Sequence, residues 1–217
     1  TVTLYTCLNH LNSPSVNIAT VEDPSEIVLP GANQINVNER IGLTFDAALR
    51  ALLRQDPDIL MVGEIRDFPT ADMAVKASQT GHLVLSTLHT NDAASTLTRL
   101  NHMGIAGFNV ASSVVLICAQ RLLRRLCDAC KQPLPDQAGY KAVCCPQCLD
   151  GYAGRIAIHQ VMPITPSLQP LLLQQVSAGE IAAQAAREGV RSLRQAGMSK
   201  VAAGDTTIEE VMAATHE

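Results

Sequence analysis

The sequence predicts an α/β fold built on a parallel-type central sheet. Three runs have the apolar or β-branched composition of buried strands: Val16–Val21, Ile59–Val62 and His82–Leu88. Between and after these runs, apolar residues recur at helical spacing in three segments: residues 44–55, 67–80 and 92–103. Strands that alternate with helices of this length are typical of parallel sheets with right-handed crossovers.

The remaining segments are assigned from the same patterns. The first thirteen residues predict a helix with Leu4, Leu8 and Leu11 on one face. The alternation of Gln34–Asn38 indicates a hairpin or an edge strand, and Thr44 is the expected N-cap of the helix over 44–55. We expect helical segments up to Leu126, and then a strand over Arg155–Met162. Three or four short amphipathic helices are expected at the end of the chain, around residues 167–176, 178–188, 192–203 and 207–214.

Composition limits the function. The chain has 217 residues, 47% hydrophobic and 17% charged, which suits one medium globular domain with a small appendage. A net charge of -4 argues against a general nucleic-acid binder, which needs a basic surface. The longest apolar stretch, around Ala111–Ala119, is too short to span a bilayer, and no signal-peptide pattern opens the chain.

The cysteines predict a metal site. Composition changes at Cys127, so we divide the chain into residues 1–126, 127–154 and 155–217. Two C-x-x-C pairs have the spacing of a structural four-thiolate zinc site: Cys127, Cys130, Cys145 and Cys148. Cys144 competes with Cys145 as the third ligand, and four unrelated buried cysteines are the alternative. Cys7 and Cys118 are expected on apolar helix faces as core residues.

Three polar segments mark candidate catalytic positions. In DPDILMVGEIRD, Glu64 follows a buried strand, where a carboxylate can orient water for attack on a phosphate; an ordinary salt bridge with Arg66 is the alternative. In TGHLVLSTLHTND, His89 leaves the next strand at the same edge, whereas His82 enters it at the opposite end. Either histidine could instead be structural.

The third segment, VEDPSE, places three carboxylates at the end of a strand: Glu22, Asp23 and Glu26. Such carboxylates repel one another unless a cation or an arginine compensates their charge. A divalent ion beside a triphosphate would do so, and a solvated Asp-Pro turn is the alternative.

Together these segments resemble the secretion ATPase superfamily. VEDPSE matches its aspartate box, DILMVGEIRD its atypical Walker B segment and GHLVLSTLHTND its histidine box. TVTLY resembles the residues directly after the Gly-Lys of Walker A, the cysteine pairs resemble the family's zinc-binding insertion, and the similarity continues through GYAGRIAIHQ. GANQINVN and GLTFDAALRALLRQDPD are closer to pilus assembly ATPases than to the type II secretion ATPase.

The resemblance implies a RecA-like P-loop NTPase core that uses ATP with Mg²⁺, a structural Zn²⁺ site and a C-terminal helical subdomain. Glu64 would act on water, Glu22, Asp23 and Glu26 would support metal or water, and His89 with His82 would report on the γ-phosphate. Two other residues would contact the cofactor: Thr1, as a Mg²⁺ ligand, and Arg66. Because the family has glycine at the position of Cys144, the resemblance favours Cys145 as the zinc ligand.

At the level of the intact protein, the resemblance implies a cytoplasmic homo-hexamer, peripheral to the inner membrane, that acts on a platform protein in type IV pilus assembly or type II secretion. It implies neither direct contact with nucleic acid nor a transmembrane segment. The glycines and the lysine of Walker A are missing before Thr1, so we expect this chain to be inactive alone. Two alternatives are a zinc-stabilised docking module for the platform protein and a nucleic-acid translocase.

Overall fold

The structure, a computed structural model, describes residues 1–135 and 139–215. It divides into two compact units. The first comprises residues 1–89, 98–114 and 172–175, and the second comprises residues 90–97, 115–171 and 176–217. The predicted boundaries after 126 and 154 stay predictions, and residues 136–138 of the predicted middle segment lie outside the described residues.

A four-stranded parallel sheet forms the centre of the first unit. Its strands are β1 (Ile18–Glu22), β2 (Asn33–Asn36), β3 (Ile59–Val62) and β4 (Leu83–Ser86), in the order β2-β1-β3-β4. β1 and β3 are buried along their whole length, as their apolar runs predict. β2 pairs in parallel with β1, so the edge-strand prediction is confirmed and the hairpin is excluded. At the carboxyl edge, Val21, Val62 and Ser86 are in register.

The helices of this unit begin where the sequence places their caps. α1 (Val2–Leu11), α2 (Phe45–Leu52) and α3 (Phe68–Gln79) are the predicted helices, and a 3₁₀ turn over Leu53–Gln55 completes the second. Thr44 and Asp67 accept hydrogen bonds from the backbone N–H groups of Ala47 and Thr70, which caps α2 and α3. α1 packs on the sheet through a buried cluster: Tyr5, Leu8, Ile18, Leu29, Ile59 and Met61.

Two helices continue the chain beyond the sheet. α4 (Ala93–His102) begins in the second unit and ends in the first, and α5 (Gly107–Ser113) belongs to the first. The predicted continuation of helix up to Leu126 is wrong, because residues 116–126 form a strand, β5 (Leu116–Leu126). Among the described residues, no helix is long and apolar enough to cross a membrane.

An antiparallel ribbon organises the second unit. β5 pairs with β8 (Tyr152–Pro163) from Leu116 opposite Pro163 to Leu126 opposite Tyr152, with an irregularity near Arg124. β5 buries Ile117, Ala119 and Leu123 on its inward face, and beyond the irregularity near Arg124 it buries Leu126. Pairing with a strand 25 residues further along, beyond residues 127–151, decides this conformation over local helical propensity.

Short elements fill the rest of the second unit. In the segment of the chain that connects β5 to β8, β6 (Gln132–Pro133) pairs with β7 (Tyr140–Lys141). The four predicted C-terminal helices are confirmed as α6 (Gln169–Leu173), α7 (Ala178–Arg187), α8 (Leu193–Ala202) and α9 (Ile208–Ala214). Ser177 and Ser192 start α7 and α8 with capping boxes. α8 and α9 approach so closely at Gly197 that a Cβ there would lie 2.6 Å from Val211.

Candidate functional site

Gly63 and Glu64 occupy the carboxyl end of β3. The N–H of Gly63 continues the ladder to Val21 O (2.8 Å), and a Cβ on Gly63 would lie 3.3 Å from the same oxygen. Thr87 binds the backbone on both sides of Glu64. Its Oγ1 donates to Gly63 O (2.7 Å), and its carbonyl accepts from the N–H of Ile65 (2.9 Å). Backbone contacts on both sides therefore fix the position of Glu64.

The Glu64 carboxylate lies between a guanidinium and an imidazole. One oxygen pairs with Arg66, and the other lies 3.3 Å from Nε2 of His89. The hydrogen bond from Arg66 is the main reason that the pKa of Glu64 is lowered, with a smaller contribution from His89. The salt bridge considered as the alternative is therefore present. It leaves the second carboxylate oxygen facing the histidine, whose side chain is 89% exposed.

The three carboxylates of the acidic segment have three different environments. Glu22 is only 4% exposed, and its side chain points away from solvent. It accepts hydrogen bonds from Tyr5 Oη (2.5 Å), Thr20 Oγ1 (2.7 Å), Ser25 Oγ (3.2 Å) and Gln34 Nε2 (3.4 Å). Burial, and then the bond to Glu22, raises the pKa of Tyr5. These four neutral donors hold the Glu22 carboxylate in the core.

The other two carboxylates lie on the surface. Asp23 Oδ2 is 3.7 Å from Arg66, which thus bridges the acidic segment and Glu64. Glu26 accepts a hydrogen bond from the hydroxyl of Thr1 (3.2 Å). The structure therefore brings the predicted site residues into two sets of contacts. In the first, Thr1 contacts Glu26. In the second, Arg66 contacts both Asp23 and Glu64, and Glu64 also contacts His89.

His82 lies at the opposite edge of the sheet. It immediately precedes β4, and its Nδ1 is 2.9 Å from the carbonyl of Ala77 and 3.1 Å from Thr80 Oγ1 at the end of α3. The imidazole thus binds the carbonyl end of a helix, a structural contact. Its placement does not support the expected role of His82 beside His89.

The second candidate site is the cysteine cluster. The sulfurs of Cys127, Cys130, Cys145 and Cys148 all lie within 4.8 Å of one another. The pairs 127–145, 130–148 and 145–148 are 3.9, 3.6 and 3.6 Å apart. Tetrahedral zinc with bonds of about 2.3 Å separates its sulfurs by about 3.8 Å. The four thiols therefore fit a zinc ion closely.

Local backbone geometry supports this cluster. The N–H of Cys145 lies 3.3 Å from Cys148 Sγ and lowers the pKa of that thiol to about 7, whereas burial raises the pKa of Cys130. Cys127 N donates to the carbonyl of Gly151 (2.9 Å). Gly151 has a φ of 85°, and a Cβ there would lie 2.7 Å from Val143 N, so only glycine fits.

The remaining cysteines are outside the cluster. Cys144 is exposed, and the cluster contains Cys145 in its place. Cys7 and Cys118 are also exposed, so their prediction as core residues is wrong. Cys118 lies on the outward face of β5, between the buried Ile117 and Ala119, because the segment is a strand and not a helix.

Sequence reasoning missed several side chains that shape the first site. Tyr5 and Gln34 bind Glu22, and Thr87 binds the backbone at Gly63. The tyrosine could have been suspected, since it lies among the apolar residues of the first helix with a hydroxyl that requires a partner. No sequence pattern distinguishes Gln34 or Thr87.

Comparison with known proteins agrees with this architecture. The family described as "Type II/IV secretion system protein" matches residues 1–213. The Type IV pilus assembly ATPase PilB of Acinetobacter baylyi is 51% identical over 100% of this chain and 41% of its own length. The Type II secretion system protein HxcR of Pseudomonas aeruginosa is 50% identical over 100% of this chain and 46% of its own length.

Solved structures share the fold. The pilus retraction motor PilT with bound ADP has a TM-score of 0.75 and 25% identity, over 100% of this chain and 57% of that chain. The Legionella pneumophila ATPase DotB has a TM-score of 0.69 at 22% identity, over 97% of this chain and 55% of that chain, a likeness of fold alone. The chain spans less than half of the length of the curated relatives described above.

Proposed function

Because the chain belongs to the Type II/IV secretion system protein family, we propose that it supplies the hydrolytic part of an ATPase that drives type IV pilus assembly. One observation carries the proposal. Glu64 stands at the carboxyl end of a central parallel strand, with one oxygen held by Arg66 and the other beside His89. The ligand-binding edge of an open α/β sheet is where such a carboxylate can act on a phosphate.

Glu64 orients the attacking water. Its lowered pKa keeps it ionised at neutral pH, so it accepts a hydrogen bond from water rather than donating one. Alignment of a nucleophile by such a residue is the usual protein contribution to phosphoryl transfer, in which there is little covalent chemistry to perform. Arg66 limits the repulsion between Glu64 and Asp23, and the exposed His89 is free to meet the terminal phosphate.

Thr1 and Glu26 provide oxygen ligands of the type that Mg²⁺ prefers. The hydroxyl of Thr1 donates to Glu26 Oε1 over 3.2 Å, so both oxygens lie at one place beside the carboxyl edge. Magnesium bound to ATP would neutralise the charge that develops on the transferred phosphate. Glu22, buried among its donors, would support this segment from within the core.

Hydrolysis requires a phosphate-binding loop. The sequence contains no Gly-Lys pair, and the family resemblance makes Thr1 the residue directly after that pair. Our proposal therefore assigns turnover to the whole protein and none to the 217-residue chain alone. The four-cysteine cluster would hold a structural zinc ion, since all four ligands come from the protein.

The decisive experiment measures ATP hydrolysis by the whole protein and by its Glu64→Gln variant. We expect the substitution to lower turnover by about a hundredfold or more while ATP binding persists, because the amide cannot act on the water as a carboxylate does. Glu209→Gln, on the exposed face of α9, is the matched control and should leave turnover unchanged. Full activity in Glu64→Gln would contradict the proposal.

The assembly and its location form a further part of the proposal. The relatives are a type IV pilus assembly ATPase and a type II secretion system protein, and we infer a homo-hexamer at the cytoplasmic face of the inner membrane that acts on a platform protein. Identities of 51% and 50% scarcely separate pilus assembly from type II secretion. Complementation of two strains, one lacking the pilus motor and one lacking the secretion motor, distinguishes the two. Restored pili without restored secretion is the expected result.

A further inference from the structure

Two side chains of the β5–β8 ribbon hold the segment immediately after His89. The first is Arg121 on β5. Its Nη2 donates to the carbonyls of Asn91 (2.7 Å) and Thr90 (3.2 Å), and its Nη1 donates to the carbonyl of Gln120 (2.9 Å). A guanidinium that binds two consecutive carbonyls fixes their orientation, because its donors have a rigid planar geometry.

The second is Gln160 on β8. Its Oε1 accepts a hydrogen bond from the N–H of Ala93 (3.0 Å), the first residue of α4. The N–H groups of a first helical turn lack intrahelical partners, so Gln160 satisfies one that would otherwise be buried and unpaired. Asp92 Oδ1 accepts from Ser95 N (2.7 Å) in the same turn. Residues 90–93 are thus held by one donor and one acceptor from the ribbon.

The ribbon itself gains little from these two side chains. Its strands are joined by backbone pairing, with Arg121 opposite Ile158 and Gln160 opposite Ala119. Gln160 is only 7% exposed, and burial of an amide costs free energy unless it is hydrogen-bonded. An aliphatic residue would pack there at lower cost. The contact with Ala93 is therefore the structural reason for a glutamine at this position.

His89 lies between two anchored residues. On one side, Thr87 is bound to Gly63 next to Glu64, and on the other side Thr90 is bound by Arg121. The imidazole is 89% exposed, so side-chain packing does little to direct it towards Glu64. Its direction must come from the backbone. The boundary between the two compact units falls at the peptide bond between His89 and Thr90.

We propose that Arg121 and Gln160 are positioning residues for His89: by fixing the backbone of residues 90–93 they restrict the conformations of the adjoining residue, His89, whose imidazole meets the Glu64 carboxylate. The consequence for ATP turnover rests on the function proposed above, whereas the geometric link does not.

The geometric link is tested by NMR on the 217-residue chain. Long-range proton–nitrogen spectra report the imidazole of His89, identified by the signal lost in His89→Gln. Glu64→Gln should shift this signal in the parent chain. In the Arg121→Met and Gln160→Leu variants, Glu64→Gln should produce less than about half of that shift, because His89 and Glu64 are no longer held together.

Two control variants separate positioning from loss of structure. Arg187→Met removes an arginine that bonds Gln184 on α7 and should keep the full shift. Gln160→Glu keeps an accepting oxygen beside Ala93 N, where the helix N-terminus offsets part of the cost of burying a charge, and should restore the shift that Gln160→Leu loses. Circular dichroism confirms that each variant is folded. A full shift in both folded Arg121→Met and Gln160→Leu would overturn the proposal.

In the whole protein, Arg121→Met should lower kcat by about tenfold and change KM for ATP by less than about twofold, since a misplaced group affects the reacting geometry more than binding. Unchanged kcat together with an unchanged NMR shift contradicts the positioning role. If Glu64→Gln keeps full turnover while the NMR result holds, the proposed function fails and the positioning role stands.

Discussion

The hydroxyl of Tyr5 donates a 2.5 Å hydrogen bond to the carboxylate of Glu22, and this bond ties the first helix to the carboxyl end of β1. Tyr5 also packs among the buried residues of the first unit, so its ring and its hydroxyl serve different purposes. The ring fills the core beneath the sheet, and the hydroxyl stabilises a buried acidic group.

Tyr5→Phe should therefore destabilise the chain without leaving a cavity. We expect a loss of about 1–3 kcal/mol in the free energy of unfolding, because a buried carboxylate loses a donor. Urea denaturation measures the loss. Tyr152→Phe, which removes a hydroxyl contact with the neutral Thr207 Oγ1 (3.0 Å), is the control and should cost less. Equal costs in the two variants would argue against the special role of the carboxylate.

The Glu64–Arg66 pair predicts a pH-dependent contribution to stability. Arg66 holds the pKa of Glu64 below its ordinary value of 4.5, so the pair stabilises the folded state above about that pH. The contribution is lost as the pH falls through the lowered pKa, since both states then bind the proton. Arg66→Gln should be less stable than the parent at pH 7, and the difference should shrink as the pH falls below about 4.5 and through the lowered pKa of Glu64.

The control for this prediction is the same substitution in a Glu64→Gln background. There Arg66 retains only the weaker contact with Asp23, so Arg66→Gln should have a smaller and less pH-dependent effect. Thermal denaturation at several pH values supplies both curves. A difference between parent and Arg66→Gln that stays constant from neutral to acidic pH would contradict the assigned cause of the pKa shift.

Gly63→Ala should disturb the carboxyl edge. The new methyl would lie 3.3 Å from Val21 O and 3.4 Å from Glu22 Cα, and backbone atoms of a central strand cannot easily yield. We expect a cost of about 1–3 kcal/mol. Gly179→Ala in α7 is the opposite case, since its nearest atom would be 3.9 Å away, and should stabilise by about 0.5–1 kcal/mol. Chemical denaturation of both variants tests whether Gly63→Ala lowers the free energy of unfolding and Gly179→Ala raises it.

The cysteine cluster predicts one zinc ion per chain. Cys148→Ser should remove the metal, because three thiolates and a hydroxyl hold zinc poorly, whereas Cys144→Ser should retain it. Chelation of the ion should lower the melting temperature by about 5 °C or more, as metal binding contributes to folding. Atomic emission and calorimetry supply the two readouts. Equal zinc content in Cys148→Ser and Cys144→Ser would exclude the assigned ligand set.

The sheet and its carboxyl edge could be predicted because their signals are local. The run Ile59–Val62 is wholly apolar and bounded by polar or glycine residues, which suffices for a central strand and for the position of Glu64. β5 could not be predicted in this way. Residues 116–126 contain leucines and arginines that suit a helix, and only pairing with β8 makes them a strand.

Some side chains around the candidate site could be placed from the sequence, and others could not. Glu64 and His89 lie just beyond the ends of strands, so their edge is known once the strands are known. The spacing of Glu22, Asp23 and Glu26 places all three at the end of one strand, but it does not reveal that the Glu22 side chain turns inward to Tyr5. Arg121 and Gln160 act on residues 90–93 from strands that are distant in sequence, a relationship that only the fold creates.

The antiparallel pairing of β5 and β8 has a consequence for how this region of the chain can change in length. The strands bring Leu126 and Tyr152 opposite each other and so fix where the intervening segment leaves and returns. Loop-closure entropy rises only slowly with length, by about 0.6 kcal/mol for each doubling. Insertions and deletions between the two cysteine pairs are therefore cheap in free energy, provided that the four sulfurs can still meet. The ribbon makes the cysteine segment an exchangeable module that can differ among homologues while the strands at its base stay the same.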